Sequence, residues 1–286
     1  YLADTVALRR ELQGRGIRFQ SQTDAEVALY AYENWGTEAF SRLNGAFACA
    51  VLDLYTHKIY LARDRFGLRP LVWWSQPQQF AFASSVRALA AGLPTWSLSA
   101  TGIDAYLAHG YLPAPLTLLE GVHLLEHGSL CEFDFKQGHT KISRFAEWQS
   151  NSAVNLDQRW QSMLGDYWRT DVETAVDLQP TAASIALAAY AGQRWPKQVM
   201  AVGVDHPQTA QLAEQLQLVW QPLQLSLNPA IDFTQWVSGL NLPIADPQWF
   251  GRWVQMRAVR PHARVLIGAG EEADWLLENT PHLQHF

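Results

Sequence analysis

Three stretches carry residue types that can do chemistry. Leu61-Ala62-Arg63-Asp64-Arg65-Phe66-Gly67-Leu68-Arg69-Pro70-Leu71 sets three Arg and one Asp between two apolar segments. A solvated hairpin turn needs neither an Arg-Asp-Arg run nor so many residues. The expectation is an internal ion-pair network of Arg63, Asp64 and Arg65 at the edge of a pocket, because the guanidinium fork matches a carboxylate. Gly268-Ala269-Gly270-Glu271-Glu272-Ala273-Asp274 follows the apolar run Val265-Leu266-Ile267. Backbone N–H groups that leave a strand and open a helix suit phosphate. Thr23 and Glu26 have capping-box spacing and place Asp24 at the positive end of a helix. Cysteine chemistry is thin: only Cys49 and Cys131 occur, both inside apolar strand-like runs, where they read as core thiols. Two thiols make no disulfide framework, and no CxxC spacing exists for zinc.

The elements that must position these residues change character along the chain. Residues 5–13 form a short amphipathic helix ended by Gly14 and Gly16, and a second helix runs through Val27 to Trp35, stopped by Gly36. The period then switches to two: strands around 47–52, 59–61, 72–74 and 80–82, joined by short polar turns, predict an antiparallel meander. Apolar residues on both faces require cover on both, as in a layered sandwich of helices and antiparallel sheets. The second half alternates. Leu156–Leu178 reads as one long helix, 180–190 and 209–216 as helices, 198–204 and 265–267 as buried strands, and 219–223 as an edge strand because of Pro222. Helices follow at 230–238 and 247–258. This alternation predicts a parallel, doubly wound sheet with ligands at the carboxyl ends of its strands.

The chain has 286 residues, enough for two domains, expected at 1–149 and 150–286. Hydrophobic residues at 48% and charged residues at 17% exclude a disordered chain. No apolar run is long enough to span a bilayer, and no signal peptide is visible. The net charge of −6, without a Lys/Arg cluster, argues against nucleic acid as a partner. The 13 scattered Trp read as core and half-buried surface. A cytoplasmic protein without membrane attachment is expected.

The Arg63 loop resembles the LARDRFGIKPL segment of class II glutamine amidotransferases. Thr23-Asp24-Ala25-Glu26-Val27 resembles their SDTEV, Leu43-Asn44-Gly45-Ala46-Phe47-Ala48 their LNGMFAF, and Phe80-Ala81-Phe82-Ala83-Ser84 their FAFAS. Ile103 to Leu107, Gly110 to Thr117 and Glu120-Gly121-Val122 resemble the linker of glutamine-dependent asparagine synthetases. Ala201-Val202-Gly203-Val204 is similar to that family's SVGF, Pro243 to Pro247 to EPFADP, and Gly270 to Asp274 to GEGADE.

The resemblance implies two domains. The first is a four-layer α/β/β/α N-terminal nucleophile hydrolase sandwich. The second is a doubly wound parallel α/β nucleotide-binding domain, incomplete here. It also implies ATP-dependent amide formation with Mg²⁺: a carboxylate is adenylated, and ammonia freed from glutamine attacks it. Asp24 would bind the α-amino group of glutamine. Val202, Ala269 and Gly270 would line the ATP site, Glu271 would act as general base and Asp274 would help hold Mg²⁺. Glutamine and a small-molecule carboxylate are the expected partners, with a homodimer as the assembly to test. The departures are large. The family's N-terminal cysteine and its Asn-Gly-Glu segment would precede Tyr1. The SGGLDSS pyrophosphate loop and the buried strand before it are expected to be missing ahead of Pro180. A natural chain longer than these residues is therefore expected. Two alternatives stay open: a relative that closes an amide within its own substrate, as β-lactam synthetases and lasso-peptide cyclases do, with an inactive glutaminase domain; or a degenerate, non-enzymatic scaffold.

Overall fold

The computed structural model describes residues 2–3, 5–147 and 173–269, together with Asn155, Gln158 and Leu164. The chain divides into two compact units, 1–166 with 240–245, and 167–239 with 246–286.

The N-terminal unit contains β1 (Leu2–Ala3), α1 (Thr5–Gly14), α2 (Asp24–Trp35), α3 (Ala39–Arg42), β2 (Asn44–Gly45), β3 (Ala48–Asp53), β4 (Lys58–Arg63), β5 (Val72–Gln76) and β6 (Gln79–Ala83). After these come α4 (Val86–Gly92), α5 (Ala100–His109), β7 (Val122–Leu124), β8 (Ser129–Asp134) and β9 (His139–Arg144). Two antiparallel sheets form, β3-β4-β8-β9 and β6-β5-β7. Pleating assigns alternate residues to different layers. On β4, Tyr60 and Ala62 pack with Val27, Ala31 and Phe40 of the helical layer. Ile59 and Leu61 pack with Leu125, Cys131 and Phe133, against which Trp73 and Phe80 of the other sheet rest. On β5, Val72 and Trp74 turn the opposite way, toward Leu89 of α4. Three apolar layers thus separate helix, sheet, sheet and helix, the expected α/β/β/α sandwich.

The single meander is a misreading. β3–β4 and β5–β6 are hairpins of different sheets, because the loop after β4 carries the chain across the sandwich. The partner that completes the β4 pairing is β8, from much later in the chain.

In the C-terminal unit β10 (Thr174–Asp177), α6 (Ala182–Arg194), β11 (Met200–Val204), α7 (Pro207–Gln215), β12 (Val219–Leu223), α8 (Pro229–Gly239), α9 (Gln248–Val259) and β13 (Val265–Ile267) follow in order. All strands are parallel, in the order β12-β11-β10-β13. Ala175, Val202, Leu223, Val259 and Ala263 form its core. β12, with Pro222, lies at the edge, as expected. The expected long helix is wrong at its end: residues 174–177 are the central strand β10, so the strand thought missing is present. The earlier part of that helix lies outside the described residues.

Candidate functional site

Asp24 opens α2, capped by the Thr23 side chain, which accepts the N–H of Glu26 at 3.4 Å. The Asp24 carboxylate accepts the backbone N–H of Leu2, on β1, at 2.7 Å. β1 in turn pairs with β2, Leu2 opposite Gly45 and Ala3 opposite Asn44. The approach to Asp24 is a clasped loop. Arg9 stacks 4.4 Å over the Phe19 ring and donates to the carbonyls of Ser21 at 3.0 Å and Thr23 at 2.8 Å. From the other side, Glu26 accepts the N–H groups of Gln20 at 2.6 Å and Ser21 at 2.7 Å, and the Ser21 hydroxyl at 2.7 Å. These bonds, that from Gln20 foremost, hold the Glu26 carboxyl below its ordinary range. The capping box is therefore half the expected motif: Glu26 reaches past Thr23 to Gln20 and Ser21.

The Arg63–Arg69 loop is internally bonded, but not by ion pairs. Asp64 is fully buried and accepts three backbone N–H groups, those of Phe66 and Leu68 at 3.0 Å and Arg69 at 3.1 Å. Arg63 does the converse. It donates to three carbonyls: Leu125 at 2.6 Å, Gly67 at 2.6 Å and Arg69 at 2.9 Å. Burial lowers the Arg63 pKa, opposed by the nearby Asp64 charge. Arg65 is exposed, and none of the three residues joins an ion pair among the described residues. The expected Arg63-Asp64-Arg65 ion-pair network is thus corrected. Unpaired backbone groups inside the turn recruit the two charges, because leaving them buried and unbonded is costly.

Cys131 is buried between the sheets, Cys49 packs against the helical layer, and burial pushes both thiols up to about 12. Neither is a thiolate nucleophile at neutral pH.

In the C-terminal unit a cleft of about 680 Å³ opens at the carboxyl ends of β10 and β11, lined in part by Asp177, Gln179, Pro180, Val204, His206 and Gln255. Asp177 ends β10 and is 2% exposed. Its carboxylate accepts hydrogen bonds from Arg252, from Gln255 Nε2 at 2.7 Å and from Gln179 Nε2 at 2.9 Å. Arg252 also donates to Gln255 Oε1 at 2.7 Å. Val202 does not line this cleft; fully buried in the core, it sits in register with Asp177, while Gly203 and Val204 reach the cleft. Ala269 lies half-buried two residues beyond β13. Gly270, Glu271 and Asp274 lie outside the described residues.

ATP with Mg²⁺ fits the described residues poorly. With β10 in place, the seven residues Gln179 to Ile185 stand where SGGLDSS is expected, and they contain no Gly and no acidic residue. Pro180 has no N–H to offer, and the Gln179 N–H is taken by Ser184 Oγ at 2.8 Å. Among the described residues no group of three His, Cys, Asp or Glu is placed to hold a metal ion. Sequence reasoning missed Asp177, Arg252 and Gln255; the signal was Arg and Gln three apart on one helix, facing a carboxylate at a strand end.

A family model described as a glutamine amidotransferase domain matches residues 4–146, half of the chain. Asparagine synthetase [glutamine-hydrolyzing] 1 of Bacillus subtilis (strain 168) is 33% identical over 124 residues, covering 43% of this chain and 20% of the relative. A putative asparagine synthetase [glutamine-hydrolyzing] of Mycobacterium bovis is 26% identical over 301 residues, covering 95% of this chain and 45% of the relative. The chain thus spans less than half the length of these relatives. The glutamine phosphoribosylpyrophosphate amidotransferase of B. subtilis, a solved structure with ADP and GMP, matches at TM-score 0.35 and 15% identity, over 85% of this chain and 49% of that one. The fold described above rests on strand register and layering, not on that likeness. No helix among the described residues is long and apolar enough to cross a membrane. With half of its length matched by the domain that carries the Arg63 loop and Asp24, the chain belongs to the glutamine amidotransferase family.

Proposed function

We propose that the chain serves a glutamine-hydrolysing, amide-forming enzyme of the asparagine synthetase type. The N-terminal unit recognises glutamine, and water converts its carboxamide to glutamate and ammonia. The ammonia is the nucleophile for an acceptor carboxylate that must first be activated, so that the activated oxygen departs as the C–N bond forms; the N-terminal unit supplies the ammonia and not that activation. Asp24 binds the substrate α-amino group. The observation that carries this reading is the family match over residues 4–146, with Asp24 held at a helix start beside β1. The nucleophile is neither Cys49 nor Cys131, since protonated core thiols cannot attack a carboxamide. The ligase half, with ATP, Mg²⁺, Glu271 as base and Asp274 at the metal, has only the resemblance to support it. The Gln179–Ile185 segment favours a second reading for the C-terminal unit, that of a scaffold.

The test is ammonia release from glutamine by the full-length protein and an Asp24→Asn variant. Asn keeps an acceptor for the Leu2 N–H and removes the charge. A charge-assisted hydrogen bond of about 1.5–3 kcal/mol corresponds to a KM for glutamine raised about 10- to 150-fold, with kcat changed far less. An unchanged KM would refute the role of Asp24, and a full-length protein that releases no ammonia would refute the glutaminase reading.

A further inference from the structure

We propose that the cleft at the strand ends of the C-terminal unit does not take a nucleoside triphosphate, so that this unit does not adenylate a carboxylate. Open parallel sheets bind ligands where the strand order reverses. Here that point lies between β10, from which the chain first winds outward to β11 and β12, and β13, to which it returns on the other side. Arg252 and Asp177 stand close against this point. A Cβ built on Gly268, the residue after β13, would lie 3.1 Å from Arg252 Nη2 and 3.5 Å from Asp177 Cβ. Arg252 is committed there to Asp177 and Gln255, so its charge is neutralised inside the protein.

The residues around the neighbouring cleft point the same way. Among the described residues its lining contains no Lys and no Arg, and the one carboxylate there is Asp177. The polar groups there are otherwise uncharged amides and a hydroxyl, with His206, whose Nδ1 accepts the N–H of Gln208 at 3.3 Å. A triphosphate would face no opposing charge from the lining and one carboxylate of its own sign. The turn after β10 is closed on itself. Ser184 Oγ accepts the Gln179 N–H at 2.8 Å and donates to the Asp177 carbonyl at 2.7 Å, and the Ser184 N–H goes to Thr181 Oγ1 at 3.3 Å. The Leu178 N–H is bonded to the Val202 carbonyl at 2.8 Å. A phosphate cradle needs such groups pointing outward at the ligand.

The decisive experiment titrates full-length protein with MgATP by calorimetry, follows its melting temperature, and measures exchange of labelled pyrophosphate into ATP with a panel of carboxylates. The expected result is no saturable heat, an unchanged melting temperature up to millimolar MgATP, and no exchange above the protein-free control. A saturable melting-temperature rise with MgATP, or exchange with any carboxylate, overturns the proposal. Glutamine in a parallel titration of the same sample tests the N-terminal reading separately: failure there leaves the nucleotide result standing, and the reverse holds equally.

Discussion

At the scale of single residues, the charges of Arg63 and Asp64 serve backbone groups rather than each other. Asp64 and Arg63 together satisfy three N–H and three C=O groups, most of them in the turn that carries the chain between the two sheets. Asp64→Ala would strip the carboxylate from three donors inside a fully buried site. Each donor left without a partner costs about 1–3 kcal/mol, so a loss of about 3–5 kcal/mol is expected, with the refolded turn recovering part of the sum. Urea denaturation of the two proteins measures it; a variant within about 1 kcal/mol of the parent would show that the turn does not depend on Asp64. Arg65→Ala, exposed two residues from Arg63, should be close to neutral in the same experiment. The contrast separates the backbone clamp from the ion-pair network that the Arg-Asp-Arg run suggests.

At the scale of elements, close approach can override propensity. Gly102 lies in the first turn of α5, where a Cβ would fall 2.1 Å from the Thr117 carbonyl oxygen and 3.1 Å from its carbon. By propensity alone Gly102→Ala would stabilise a helix by about 1 kcal/mol. Here the helix must shift off the 117–119 strip, whose Thr117 hydroxyl is buried between the carbonyls of Leu119 and Val122. Net destabilisation of about 1–3 kcal/mol is expected, and a melting temperature above the parent's would contradict it. The same tension between local pattern and distant partners decides what the sequence discloses. Thr23, Gly36 and the alternation of β3 to β6 are local signals, and those elements form where the pattern places them. Which sheet each hairpin joins is not local, because β4 completes its pairing with β8. β10 was hidden for another reason. Thr174-Ala175-Val176-Asp177 is buried on both faces, and Val172 and Val176 are four apart, so a short strand and a helix turn look alike there. Asp24 and the Arg63 loop were legible as motifs. The carbonyl partners of Arg63 and the Asp177–Arg252 pair were not, since each joins residues that only the fold brings together.

At the scale of the whole molecule, the N-terminal unit is built to lose stability at both ends of the pH range. Glu26, Asp53 and Asp134 are all held below the ordinary carboxyl range, in each case chiefly by a backbone N–H: Gln20 for Glu26, Thr56 for Asp53 and Gln137 for Asp134. A carboxyl whose pKa is depressed by folding binds fewer protons in the folded state. Its contribution is present above about pH 4 and is lost as pH falls through the folded value. Cys49 and Cys131 run the other way. Burial raises both to about 12, so the folded unit keeps protons that the unfolded chain releases from about pH 8.5 upward. Burial also lowers the pKa of His123, so the unfolded chain takes up a proton there first, and stability should be highest between about pH 6.5 and about pH 8 and fall on either side. The alkaline limb has a specific author between about pH 8.5, where free thiols ionise, and about pH 10, where tyrosine joins in. Burial and the Asp53 hydrogen bond also raise Tyr32, so alkali beyond that point acts on both groups. The double variant Cys49→Ala/Cys131→Ala removes two titrating groups and leaves the three carboxyls in place. It should be less stable at neutral pH, because two core side chains shrink, yet lose less on going from about pH 8 to about pH 9.5. Denaturant unfolding across a pH series reads both slopes. A parent whose stability rises above pH 8, or a double variant with the parent's alkaline slope, would mean that the thiols are not held protonated by the sandwich.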